Sequence, residues 1–188
     1  MALLLLGLFL FYGAHLLPSV LAPTLRSWRE RRGEGPVKGV IALAILAGLV
    51  LIVLGWRSAV PQGIYAPPPE LRLPALVLLV IAVWLFAVAS RPSALKRVLR
   101  HPQLTGLLLW CIAHLMVNGD SRSLLLFGSM GVWSVAEMLL INRRDGAYTP
   151  PAMPGLGADI VTAVIAVALF LLLVLVHPWL AGVPVLPH

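Results

Sequence analysis

Residues 39–56 read GVIALAILAGLVLIVLGW, eighteen positions in a row without one ionisable side chain. Wound as an α-helix at 1.5 Å per residue, this run is about 27 Å long, close to the ~30 Å hydrocarbon core of a bilayer. Similar runs occur at Ala2–Ala22, Leu73–Ser90, Gln103–Asn118, Ser123–Ile141 and Ala158–Leu180, which makes six candidate spans. They must be helices: an open strand would leave its backbone donors and acceptors unpaired in lipid, and the alternation of a membrane barrel is absent. Of the 188 residues 60% are hydrophobic and 11% charged, too little polar surface to cover a water-soluble domain. The expectation is an all-α, polytopic membrane helix bundle whose first partner is the lipid bilayer. A soluble enzyme is excluded. So is a nucleic-acid partner, because the cations behind the net charge of +7 lie in short clusters between apolar runs, not on one face.

Those clusters orient the chain. Eleven of the 14 Lys and Arg residues fall on one side: Arg26, Arg29, Arg31, Arg32 and Lys38 after the first span, Arg91, Lys96, Arg97 and Arg100 after the third, Arg143 and Arg144 after the fifth. Arg57, Arg72 and Arg122 take the other. The bias puts the basic loops in the cytoplasm and both termini outside. The first span is expected to stay attached despite Ser19-Val20-Leu21-Ala22, because no basic residue precedes it and Pro23 follows the would-be cleavage site. Pro61, Gly63 and Pro67-Pro68-Pro69 make a stiff external connection, and Asp145–Gly157, with Pro150, Pro151 and Pro154, makes a second one inside. Neither is long enough for a domain of its own. Residues 1–188 therefore read as one bundle, with Gly48, Gly106, Gly128 and Gly131 permitting close helix contact.

A strongly polar side chain at the bilayer centre costs about 2.5 to 3.5 kcal/mol on insertion scales, so each one marks a candidate site. His15, His114, Glu137 and Cys111, one helical turn before His114, stand out. As the single cysteine, Cys111 excludes a disulfide framework, a thiolate zinc site and covalent haem attachment through paired cysteines. Each histidine alone can be a neutral imidazole bonded to a neighbouring helix. Together, two intramembrane imidazoles from separate helices are what a bundle needs to hold a haem iron. Their nominal depths differ by roughly 10 Å at the helical rise, which tilt must absorb.

At the inner surface, Arg100-His101-Pro102 opens the fourth span, either as an interfacial anchor or, with Arg97, as a clamp for an anionic group such as a haem propionate. Asn118-Gly119-Asp120 reads as a helix stop followed by a new cap. Glu137 lies six residues before Arg143 and is expected to snorkel or pair with an arginine. His177-Pro178-Trp179 resembles an aromatic anchor, and His188 is terminal; neither is assigned to a site.

Leu99-Arg100-His101-Pro102-Gln103-Leu104-Thr105-Gly106, continued by Trp110, Ala113-His114, Asn118-Gly119-Asp120 and Leu126-Phe127-Gly128, resembles the signature of the NnrU family. So does His15 followed by Leu25-Arg26 and a glycine-containing basic loop. The resemblance runs over essentially the whole chain and implies one transmembrane domain in a bacterial inner membrane. Bacterial members are associated with denitrification, in the expression or maturation of nitrite and nitric oxide reductases, which implies a respiratory-complex partner. The plant relative, 15-cis-zeta-carotene isomerase, is a haem-b enzyme that shifts a double bond in a redox-dependent way. By that resemblance the cofactor is haem b, its axial ligands are His15 and His114, and an apolar polyene is the substrate class. Reduction of the iron then lets one histidine leave. Arg97, Arg100 and His101 are expected to face the propionates. A non-enzymatic haem carrier or assembly factor would use the same two histidines. Arg100, His101, Pro102, Gly106 and Trp110 are also similar to the cofactor region of isoprenylcysteine carboxyl methyltransferases, which bind S-adenosylmethionine. That pattern needs two adjacent glutamates downstream, and this chain has only Glu137 before Arg143-Arg144. No residue is assigned a catalytic role.

Overall fold

The computed structural model describes residues 1–185, so His188 lies outside the described residues. Among them there is no strand, only a single bridge between Gly63 and Asp120. Seven helices follow one another: α1 (Ala2–Val20), α2 (Ala22–Arg32), α3 (Glu34–Ser58), α4 (Arg72–Ser90), α5 (Pro102–Leu115), α6 (Ser121–Asp145) and α7 (Leu156–Ala181). The chain is all-α, and α1, α3, α4, α6 and α7 are long and apolar enough to cross a membrane. The fourth expected span is a helix too, but α5 has 14 residues. That gives it roughly 21 Å, less than the ~30 Å core.

Two compact units divide the chain, Met1–Val60 and Pro61 onward. In the first, α1 and α3 pack antiparallel at a separation only glycine permits. A Cβ on Gly7 would sit 2.6 Å from the Ile52 nitrogen, one on Gly48 would sit 2.9 Å from the Phe11 nitrogen, and one on Gly55 would overlap the backbone of Leu4. The basic segment after α1, expected as a loop, is instead helix α2. Pro18 lies in the last turn of α1, the chain breaks at Leu21, and Pro23 suits the first turn of the next helix. Arg29, Arg31 and Arg32 then meet the negative end of the α2 dipole, and Gly33, at φ 83°, turns the chain into α3.

In the second unit, α4 and α5 form an antiparallel hairpin, with α5 also against α6 and α4 against α7. Gly106 sets the hairpin spacing: its Cβ would lie 2.9 Å from the Ala82 oxygen. Gly131 makes only ordinary contact with Cys111 and Leu108, and Gly128 meets nothing beyond its own helix. The segment before α4 explains how a short α5 is completed. Ile64 and Tyr65 donate their amides to the Gly119 oxygen at 2.8 and 3.0 Å, and Ser121 donates to the Gln62 oxygen at 2.8 Å. The Tyr65 hydroxyl, shared between the Leu115 oxygen at 2.5 Å and the Asn118 oxygen at 3.0 Å, satisfies carbonyls that the helix end leaves open. Burial and the nearby Asp120 carboxylate push the Tyr65 phenol above its ordinary pKa.

Candidate functional site

His114 sits in the last turn of α5. Its Nδ1 is 2.8 Å from the Trp110 carbonyl oxygen one turn back. A carbonyl only accepts, so Nδ1 carries the proton and Nε2 is left with its lone pair. The ring lies 4.5 Å from that of Trp110, tilted by 50°, and 4.4 Å from Phe127, stacked at 26°. Trp110 and Phe127 meet edge to face at 4.9 Å, so the imidazole is held by two aromatic planes. Asn118 closes the helix end, donating from Nδ2 to the His114 oxygen at 2.9 Å.

Phe127 reaches this position because the backbone of α6 widens into a π-turn at Leu124–Gly128. Such turns swing a side chain off the helical register and recur at functional sites. The turn follows directly on the cap foreseen at Asp120, whose carboxylate accepts from the amides of Arg122 and Ser123 at 3.0 and 3.1 Å and from the Ser123 hydroxyl at 2.7 Å. Ser129 returns its hydroxyl to the Leu125 oxygen at 2.5 Å. His177, near the end of α7, donates from Nδ1 to the Val183 oxygen at 2.6 Å.

In the first unit, His15 repeats the local pattern. Its Nδ1 is 3.0 Å from the Phe11 oxygen, and the Phe11 ring lies 4.3 Å away at 41°. Each histidine thus has an aromatic residue four positions earlier, a proton on Nδ1 and the basic nitrogen at Nε2.

Arg97, Arg100 and His101 lie at the other end of α5. Thirteen residues at the helical rise separate His101 from His114 by about 20 Å. Arg97 donates to the Pro151 oxygen at 3.3 Å, and Arg100 donates to the Gly146 oxygen at 2.6 Å while its guanidinium lies 5.5 Å over the Tyr148 ring. Tyr148 returns a hydrogen bond to the Lys96 oxygen, and Asp159 accepts from the Ala94 amide at 3.3 Å. His101 Nε2 donates to Asn142 Oδ1 at 2.8 Å. These contacts tie the segment after α4 to the proline-rich connection before α7. The structure therefore brings Trp110, but not Arg97, Arg100 or His101, to His114.

Glu137 is 7% exposed on α6, and Arg144 pairs with Asp145 at 2.7 Å. Cys111 is buried against Gly131. Among the described residues, no three of His, Cys, Asp and Glu gather into a metal-ion site. The sequence singles out His114 and Trp110, and names Phe127 only within the family signature; it gives no sign that Phe127 stacks on His114 or that Tyr65 closes the end of α5. The aromatic residue four before each histidine was the one local signal available.

Five helices able to cross a bilayer, with a polar imidazole enclosed near the end of a sixth, define a multi-pass integral membrane protein. Residues 3–185 match the family described as NnrU protein, nearly the whole chain and across both units. The chain belongs to that family. No curated protein and no solved structure matches it.

Proposed function

We propose that this NnrU-family membrane protein binds haem b, with Nε2 of His114 and Nε2 of His15 as the iron ligands. The observation that carries the reading is the shared tautomer. In both rings an i−4 carbonyl fixes the proton on Nδ1, the orienting bond that ligating histidines characteristically make, and an aromatic side chain fixes the plane. Trp110 and Phe127, packed on the His114 ring and on each other, would give a bound haem an apolar aromatic surrounding. Bound there, haem b supplies a redox-switchable iron, the chemistry the family resemblance connects with double-bond isomerisation of a lipid-soluble polyene. A role in supporting nitrite or nitric oxide reductases uses the same two ligands without turnover. The basic segments at residues 26–38, 91–100 and 143–144 support a cytoplasmic placement for that side, in a bacterial inner membrane, with both termini outside.

Optical spectroscopy of the detergent-purified chain tests this. Haem supplementation is expected to give a Soret band that shifts on reduction, changes in either His15→Ala or His114→Ala, and disappears in the double variant. A chain that gives no band, or a double variant with the band unchanged, overturns the reading. Turnover of a polyene by the loaded protein separates an isomerase from a carrier.

A further inference from the structure

The cationic helix α2 has no part in the haem reading, and its own charge is unbalanced: Arg26, Arg29, Arg31 and Arg32 stand against the single acid Glu30 on the same helix. It joins the end of α1 to the start of α3, two helices able to cross a membrane, so it lies where both meet the bilayer surface. Only Leu25 is buried, at 4% exposure, and it seats α2 on its neighbours. Arg26, Arg29 and Arg32 recur every third residue and so form one stripe, with Arg31 beside it. All four arginines are exposed, and among the described residues none makes an ion pair. The acid nearest in sequence after the helix, Glu34, is taken by Lys38 at 2.9 Å. Trp28, 54% exposed, lies one turn from both Leu25 and Arg32 and is the amphipathic ring expected at headgroup depth. Ala22, Pro23, Arg26, Ser27 and Glu30 line a cleft of about 270 Å³ alongside.

We infer that α2 is a binding surface for anionic phospholipid headgroups, the Arg26–Arg29–Arg32 stripe gripping phosphodiester oxygens while Trp28 rests at the interface. Guanidinium forks match phosphate oxygens two at a time, and they are weakly hydrated, so they lose little on leaving bulk water. A leaflet rich in negative headgroups presents such groups at the depth where α1 and α3 meet the bilayer surface. The stripe therefore does more than bias orientation during insertion: it retains particular lipids afterwards.

The test is lipid retention by the full chain. Protein purified from discs of phosphatidylcholine and phosphatidylglycerol in equal amounts is analysed by native mass spectrometry. The expected result is retained phosphatidylglycerol in excess over supply, with the excess falling on the order of tenfold in Arg26→Gln/Arg29→Gln/Arg32→Gln. Arg143→Gln/Arg144→Gln is expected to retain the excess. Should the triple variant fail to fold, the native chain is washed from 0.1 to 1 M salt at the same lipid supply; the excess is expected to decline as charges are screened. Equal retention of both lipids by the native chain, an undiminished excess in a folded triple variant, or an excess insensitive to salt overturns the inference. So does capture of poly-glutamate by protein in pure phosphatidylcholine discs without any lipid preference, which would mark α2 as a surface for an acidic polypeptide.

Discussion

The Phe127 ring lies stacked on the His114 imidazole, centroids 4.4 Å apart and planes 26° from parallel, although the two come from different helices. The contact exists because α6 opens into a π-turn at Leu124–Gly128. Aromatic pairs of this kind are worth about 0.5 to 1.5 kcal/mol beyond the area they bury. Phe127→Leu keeps most of the volume and removes the stack. Haem titration is expected to show affinity weakened by up to about tenfold, with the Soret band still formed. An unchanged affinity would mean that Phe127 only fills space.

Tyr65 gives a pH-dependent prediction. Its hydroxyl holds the loop before α4 to the end of α5, and its phenol titrates above the ordinary value of 10.0. A pKa raised on folding means that the contribution is complete below pH 10 and is lost as pH climbs through the raised value. Tyr65→Phe removes the donor at every pH, at a cost of about 1 kcal/mol. Amide exchange at residues 115–120 is expected to be faster in the variant at pH 8, and the native chain should approach it only above pH 10. Identical exchange at pH 8 would count against the tether.

Close packing of α1 on α3 makes two glycines behave oppositely. Nothing lies within 4 Å of a Cβ at Gly13, whereas one at Gly48 meets the Phe11 backbone. Gly48→Ala must push the helices apart and is expected to cost about 1 to 3 kcal/mol. Gly13→Ala gains helix propensity, up to about 1 kcal/mol. Thermal denaturation in detergent checks both: a lowered midpoint for the first, an unchanged or raised one for the second.

How far the sequence carried this reading follows from which physical signals are local. Long uncharged runs fixed five of the helices to within a few residues, because hydropathy is a property of composition. Asn118-Gly119-Asp120 marked the stop and restart between α5 and α6 for an equally local reason: Asp120 caps amides only two and three residues away. The shortness of α5 was hidden, since Met116 and Val117 are apolar enough to continue a span and only the Ile64–Tyr65 loop shows where the helix closes. Helix α2 was hidden by its charge, which reads as a loop unless Pro23 and Gly33 are taken as its two ends. No sequence pattern announces a π-turn, so Phe127 stood out only within the family signature and its stack on His114 was hidden, while His114 was legible from the cost of burying a polar group and Trp110 from resemblance.

Arg100 decides between two roles for the basic cluster at the start of α5. Its guanidinium is engaged by the Gly146 oxygen and the Tyr148 ring, and about 20 Å of helix separates this end from His114. The contacts this guanidinium makes are with the connection before α7 and not with the surroundings of His114. Arg100→Ala is therefore expected to free the 146–155 connection, seen as faster limited proteolysis there, and to leave the Soret band and haem affinity unchanged. Were the same substitution to weaken haem binding while proteolysis stayed constant, the cluster would be a propionate clamp.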